Sequence, residues 1–133
     1  MKECSCWGVC GAVVAAIAVA AGAFGAHGLE EWLAKIGRAE TFETAVRYQI
    51  YHALALIVLG LFQEGQRSAL FSWSGRAFLT GILLFSGCLY AWIGSHLWLE
   101  HGWKPFVMIV PLGGLSMILG WILLGWGIHK SRS

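Results

Sequence analysis

Charged residues divide this chain into four long uncharged runs, Cys4 to Leu29, Tyr48 to Gln63, Ala77 to Leu99 and Pro105 to His129, joined by short polar connections. A helix needs about 20 mainly apolar residues to cross a ~30 Å hydrocarbon core, so each run reads as a membrane span. The second is the shortest, with 16 residues, or about 24 Å of helix at ~1.5 Å per residue. Its helix therefore has to begin near Thr44 and take in Arg47, whose long stem reaches back to the interface. The expected spans are 7–28, 44–63, 77–98 and 106–128, within a single integral membrane domain over 1–133. The fold class that follows is all-α, a membrane four-helix bundle.

The first connection changes this picture slightly. Glu30, Glu31, Lys35 and Arg38 alternate there with Leu29, Trp32, Leu33 and Ile36 at helical spacing, which predicts a short amphipathic helix in the interface between spans one and two. Gly37 offers its C-terminal stop, and Thr41 or Thr44 an N-cap for the second span. Small residues four apart mark faces where helices approach closely in lipid. Gly8-Ala12-Ala16-Ala20 and Ala18-Gly22-Ala26 form two such ridges in span one; Gly87, Ala91 and Gly94 share a face in span three, as do Ser116 and Gly120, and Trp121 and Gly125, in span four. Pro111 removes a backbone donor inside the fourth span and predicts a kink or a weakened helix, whereas Pro105 stands harmlessly at its start. Trp7, Trp32, Trp73, Trp98, Trp103 and Trp126 fall near span ends, as aromatic belts do.

Composition fits the same class. Apolar residues make up 58% and charged residues 12%, too few charges for an ordinary soluble domain. The basic residues are scattered, so nucleic acid is not an expected partner; membrane lipid is, with a homo-oligomer or a membrane protein partner as a further expectation. With the N-terminus in the cytoplasm, the inner side carries Lys2, Arg67, Arg76, Lys130 and Arg132 and the outer side Lys35, Arg38, Arg47 and Lys104, a small bias towards both termini inside. A cleaved signal peptide is the rival reading of the first run, but its uncharged stretch is long for one. Cys4, Cys6 and Cys10 crowd the N-terminus and Cys88 lies within a span, a pattern of reduced structural thiols more than of a disulfide framework or a metal site.

Polar groups within a span are the candidates for chemistry. Thr44, Arg47, Tyr48, Tyr51 and His52 share one broad side of the second span, which is expected to face the bundle. Glu43 and Arg47 stand in the order favourable for a helical ion pair. His27, His52 and His96 fall on the same side of the membrane, with His101 in the third connection. Converging imidazoles would suit a metal, haem or a proton relay; separate ones would cap helix ends and bond neighbouring spans. The candidate polar site is therefore Arg47, Tyr48, Tyr51, His52, His27 and His96, its metal unknown and no cofactor predicted. Gly25-Ala26-His27 and Gly94-Ser95-His96 hint at a two-plus-two repeat. Catalytic serine-histidine-acid, zinc-protease and phosphate-loop patterns are absent, and no enzyme activity is expected.

GAFGAHGL at Gly22 to Leu29 and TAVRYQIYHALAL at Thr44 to Leu56, with LFSGCLY at Leu84 to Tyr90, PLGG at Pro111 to Gly114 and then Gly120-Trp121, resemble the domain of unknown function 423 family. The resemblance covers nearly the whole chain and implies a four-span integral membrane protein, usually of the bacterial inner membrane, with no activity to carry over. Val110 stands where the family pattern has Thr before this proline. Three roles are in view: a small structural or interaction component of the membrane, an oligomeric transporter or permeability factor, and a histidine-based metal or haem binding protein.

Overall fold

The computed structural model describes residues 6–65 and 68–133. Lys2, Cys4 and Arg67, which enter the charge and cysteine patterns above, lie outside them. Four helices are long and apolar enough to cross a membrane: Cys6–His27, Ala39–Gln63, Ala69–Ser95 and Pro105–Arg132. We label the elements α1 (Cys6–His27), α2 (Glu30–Lys35), α3 (Ala39–Gly65), α4 (Ala69–Ile82), a π-helical turn at Leu83–Gly87, α5 (Cys88–Ser95) and α6 (Pro105–Arg132). The third span is thus α4, the π turn and α5 in one continuous run. Among the described residues there is no strand.

α2 is amphipathic as expected, with Leu33 buried and Glu30, Glu31 and Lys35 exposed. Gly37 ends it at φ +66, where the Gly37 N–H reaches the Ala34 carbonyl and the Arg38 N–H the Leu33 carbonyl. This is the left-handed helix stop that glycine adopts without a Cβ penalty. α3 then begins at Ala39, not near Thr44, so Thr41 and Thr44 lie within the helix instead of capping it. The Arg38 carbonyl accepts from the Phe42 N–H and opens the helix. The third span also starts earlier than its charge pattern suggests, at Ala69, where the Ser68 side chain accepts from the Leu70 N–H. Arg76 is consequently inside that helix, with its guanidinium 5.0 Å from the Trp73 ring. Pro111 sits in an uninterrupted α6.

Two helix pairs make the bundle, α1 with α3 and the third span with α6, and α3 joins them. Each pair is seamed by small residues at a seven-residue interval; of the expected four-residue ridges, Ser116-Gly120 does face the third span. Gly11, Ala18 and Gly25 are the buried positions of α1, while Ala12, Ala16, Ala20 and Ala26 are exposed. At Gly11 the approach is backbone to backbone, since a Cβ there would lie 2.6 Å from the Ala53 carbonyl oxygen. In α6 the seam is Gly113, Gly120 and Gly127, opposite Phe85, Phe78 and Phe71 in antiparallel order. A Cβ would meet the Phe85 nitrogen at 2.5 Å from Gly113, the Phe78 ring at 2.6 Å from Gly120 and the Phe71 ring at 2.6 Å from Gly127. Both partners advance two turns at a time, the recurrence of shallow left-handed packing. Gly94 and Gly125, by contrast, face open space.

Phe71, Phe78, Leu56 and Leu59 are fully buried between these pairs and, with Ile82, Met117 and Leu124, form the core. Val13, Ile17, Leu115 and Ile122 are more than half exposed and turn their side chains to lipid.

Candidate functional site

α3 carries the polar interior of the bundle. Helical geometry places Ala45, Gln49, His52, Leu56 and Leu59 on one stripe at i, i+4, i+7, i+11 and i+14, and all five are buried. Gln49 spends its amide on two helices, its Nε2 donating to the Val14 carbonyl of α1 at 3.1 Å and its Oε1 accepting from the Tyr90 hydroxyl of α5 at 2.9 Å. The Ser86 hydroxyl, within the π turn, donates to the Ala45 carbonyl at 2.7 Å. Ser74 and Ser116 do the same between the third span and α6, reaching the Gly120 carbonyl at 2.8 Å and the Ala77 carbonyl at 2.7 Å.

His52, half-way along α3, has both ring nitrogens engaged. The Trp121 indole N–H donates to Nε2 at 3.1 Å, which makes Nε2 the acceptor and places the proton on Nδ1, 2.7 Å from the Tyr48 carbonyl. The Phe78 ring lies 5.7 Å from the imidazole and the Trp121 ring 6.0 Å. A neutral imidazole bonded on both sides has no lone pair left for a metal.

The other sequence candidates lie elsewhere. Arg47 and Tyr51 point out of the bundle and Tyr48 lies at its rim, correcting the expectation that the whole polar side of the second span faces inward. That side is too broad for one stripe: His52 lies on the buried arc, while Arg47, Tyr48 and Tyr51 lie beside it. Arg47 pairs with Glu43, both side chains 59% exposed, so the expected ion pair forms at the surface. Tyr48 stacks on Phe85 with ring centroids 4.6 Å apart. His27 is exposed in the last turn of α1. His96 packs across Trp92 and bonds its carbonyl at 3.1 Å. Among the described residues no three His, Cys, Asp or Glu side chains come together to hold a metal, so His27, His52 and His96 do not converge. Three separate surroundings replace the shared site.

Gln49, Ser86, Tyr90 and Trp121 are the members of the network that span-by-span reading passes over. Each looks ordinary alone. The signal available was the stripe itself, Ala45-Gln49-His52-Leu56-Leu59, whose polar members needed partners on other spans.

Comparison with known proteins bears on this arrangement. A family model described as "Protein of unknown function (DUF423)" matches residues 21–114. A UPF0382 membrane protein of Staphylococcus aureus is 38% identical over 87% of this chain and 88% of its own length. One from Staphylococcus epidermidis is 39% identical over the same shares. The UPF0382 inner membrane protein YgdD of Escherichia coli K12 is 35% identical over 81% of this chain and 77% of its own. No solved structure matches.

Proposed function

This chain belongs to the DUF423 family of proteins of unknown function, and on that premise we propose that it acts as a small structural or interaction component of the membrane, without catalytic activity. One observation carries the proposal: His52, a buried ionisable side chain of α3, has both nitrogens bonded within the chain. An intramembrane ionisable group is a functional candidate by default, but one whose donor and acceptor are both used fastens helices. Gln49 supports the same role by tying α3 to α1 and α5. The outward face of α3, with Tyr51 and Leu54, is left to lipid, a second copy or a membrane protein partner.

The E. coli relative is named an inner membrane protein, and we place this chain in the corresponding membrane with both termini in the cytoplasm. The Lys and Arg distribution supports that orientation. Labelling a single cysteine introduced at His101 with a membrane-impermeant reagent in intact cells tests it; protection of that site would reverse the assignment.

The role itself is tested by native mass spectrometry and thermal unfolding of the purified protein and its His52→Ala variant. If His52 fastens the helices, His52→Ala lowers stability and leaves the bound species unchanged. A metal, haem or small solute held by the natural chain and released by His52→Ala, at unchanged stability, would overturn the structural role in favour of a carrier.

A further inference from the structure

The first and third connections meet at the same end of the bundle and enclose a cleft of about 770 Å³ whose wall includes Lys35, Arg38, Trp92, Glu100, His101 and Lys104. Three permanent cations there face one carboxylate. Among the described residues the ion pair is Arg47 with Glu43, so Lys35, Arg38 and Lys104 have no carboxylate partner within 4.0 Å. Unpaired cations at one spot repel each other, and a compensating anion relieves that repulsion.

Arg38 is held in place before any ligand arrives. It follows the left-handed stop at Gly37, its N–H is tied to the Leu33 carbonyl, and its guanidinium lies 4.3 Å above the Trp92 ring. Stacking fixes the plane of the planar donor group and keeps its outer edge free for an oxyanion. Two N–H donors at this contact, Arg38 Nε and Trp92 Nε1, are occluded and without an acceptor. The third connection is fixed as well. The Ser95 hydroxyl accepts from the Trp103 N–H at 2.7 Å, and Gly102, at φ +65, packs where a Cβ would lie 2.5 Å from His96 and 2.8 Å from the Trp92 nitrogen. The two connections therefore form a pre-set pair of jaws with surplus positive charge.

The cleft lies at the height where α5 ends at Ser95 and α6 starts at Pro105, beside the exposed Trp98 and Trp103. Tryptophans at span ends sit at headgroup level, the level of lipid phosphates. We propose that this cleft binds a phosphate or phosphate-ester oxyanion, with Arg38 as the anchoring donor and Lys35 and Lys104 closing over it. A tetrahedral oxyanion directs its acceptor oxygens out of one plane, towards donors arriving from two connections, whereas the two oxygens of a carboxylate lie in one plane. The source is either an anionic phospholipid headgroup or a soluble phosphate.

The full-length protein in uncharged detergent tests this by native mass spectrometry, with phosphatidylglycerol and phosphatidylcholine of identical chains offered separately. Retention of phosphatidylglycerol is expected to exceed that of phosphatidylcholine, and to fall roughly tenfold or more in Arg38→Ala and in Lys104→Ala, the scale of one lost charge-assisted bond. Arg38→Lys should keep part of it, and Arg76→Ala, at the other end of the bundle, should keep all of it. Lys104 is exposed, so its variant carries the test if Arg38→Ala fails to fold. A second arm titrates inorganic phosphate into the lipid-free protein. Saturable, Arg38-dependent binding there assigns the site to a soluble phosphate, and binding of phosphatidylglycerol alone assigns it to a lipid. Equal retention of the two lipids with no saturable phosphate binding, or an equal loss in Arg76→Ala, would overturn the proposal.

Discussion

The indole N–H of Trp121 donates to Nε2 of His52 across 3.1 Å, joining the second span to the fourth near the middle of both helices. Removing the donor alone leaves an imidazole nitrogen without a partner. Trp121→Phe is expected to lower stability by about 1 kcal/mol, within the range of ~0.6 on average to ~1.7 measured for bonds between membrane helices. A double-mutant cycle with His52→Ala, followed by denaturant unfolding in detergent, isolates the pairwise part. Strict additivity would mean that the bond adds nothing.

Gly120 faces the Phe78 ring, and a methyl group there would sit 2.6 Å from it. Gly120→Ala should destabilise by roughly 1–3 kcal/mol, as overpacking does. Gly125, one turn and a half further on, has nothing within 4 Å, and Gly125→Ala should be neutral or slightly stabilising. Parallel thermal melts compare the two. Equal effects would contradict the seven-residue seam.

Gln49 bonds α1 and α5 at once. Gln49→Leu keeps the volume but strands the Tyr90 hydroxyl and the side of the Val14 carbonyl that faces it. The expected loss is about 1–2 kcal/mol, with α1 loosened first because its packing rests chiefly on α3. Hydrogen exchange along α1 and α6 should show faster opening in α1; uniform acceleration would count against it.

Gly37 and Gly102 both have positive φ, but only Gly102 is crowded. Alanine at Gly37 should cost about 1 kcal/mol of backbone strain, and alanine at Gly102 clearly more, because it also collides with His96 and Trp92. The difference between the two unfolding free energies is the measurement.

The Glu43–Arg47 pair is 59% exposed on each side. Arg47→Ala should change stability by less than about 1 kcal/mol, the usual worth of an exposed pair. A larger loss in unfolding experiments would show that Arg47 has a further partner.

These contrasts mark where sequence reading stops. The uncharged runs, the helix stop at Gly37 and the Glu43–Arg47 spacing are local matters, legible because bilayer thickness, left-handed backbone and helical pitch act on neighbouring residues. The direction in which each span turns its faces is not local. In water an apolar stripe reveals the buried side of a helix, but lipid is as apolar as a protein core, so Val13 facing lipid and Leu56 facing helices look alike in the chain.

The sequence by itself therefore determined four spans, a short amphipathic connector and the polar residues that need partners. Only the tertiary structure decided that Phe71, Phe78 and Phe85 fit Gly127, Gly120 and Gly113, and that His52 meets Trp121 while Arg47 turns away. Such choices depend on the shape and donors of a second helix, brought near by the fold alone. Arg38 and Trp92 meet for the same reason: they stand far apart in the chain, and only the packing of two connections at one end of the bundle places a guanidinium on an indole.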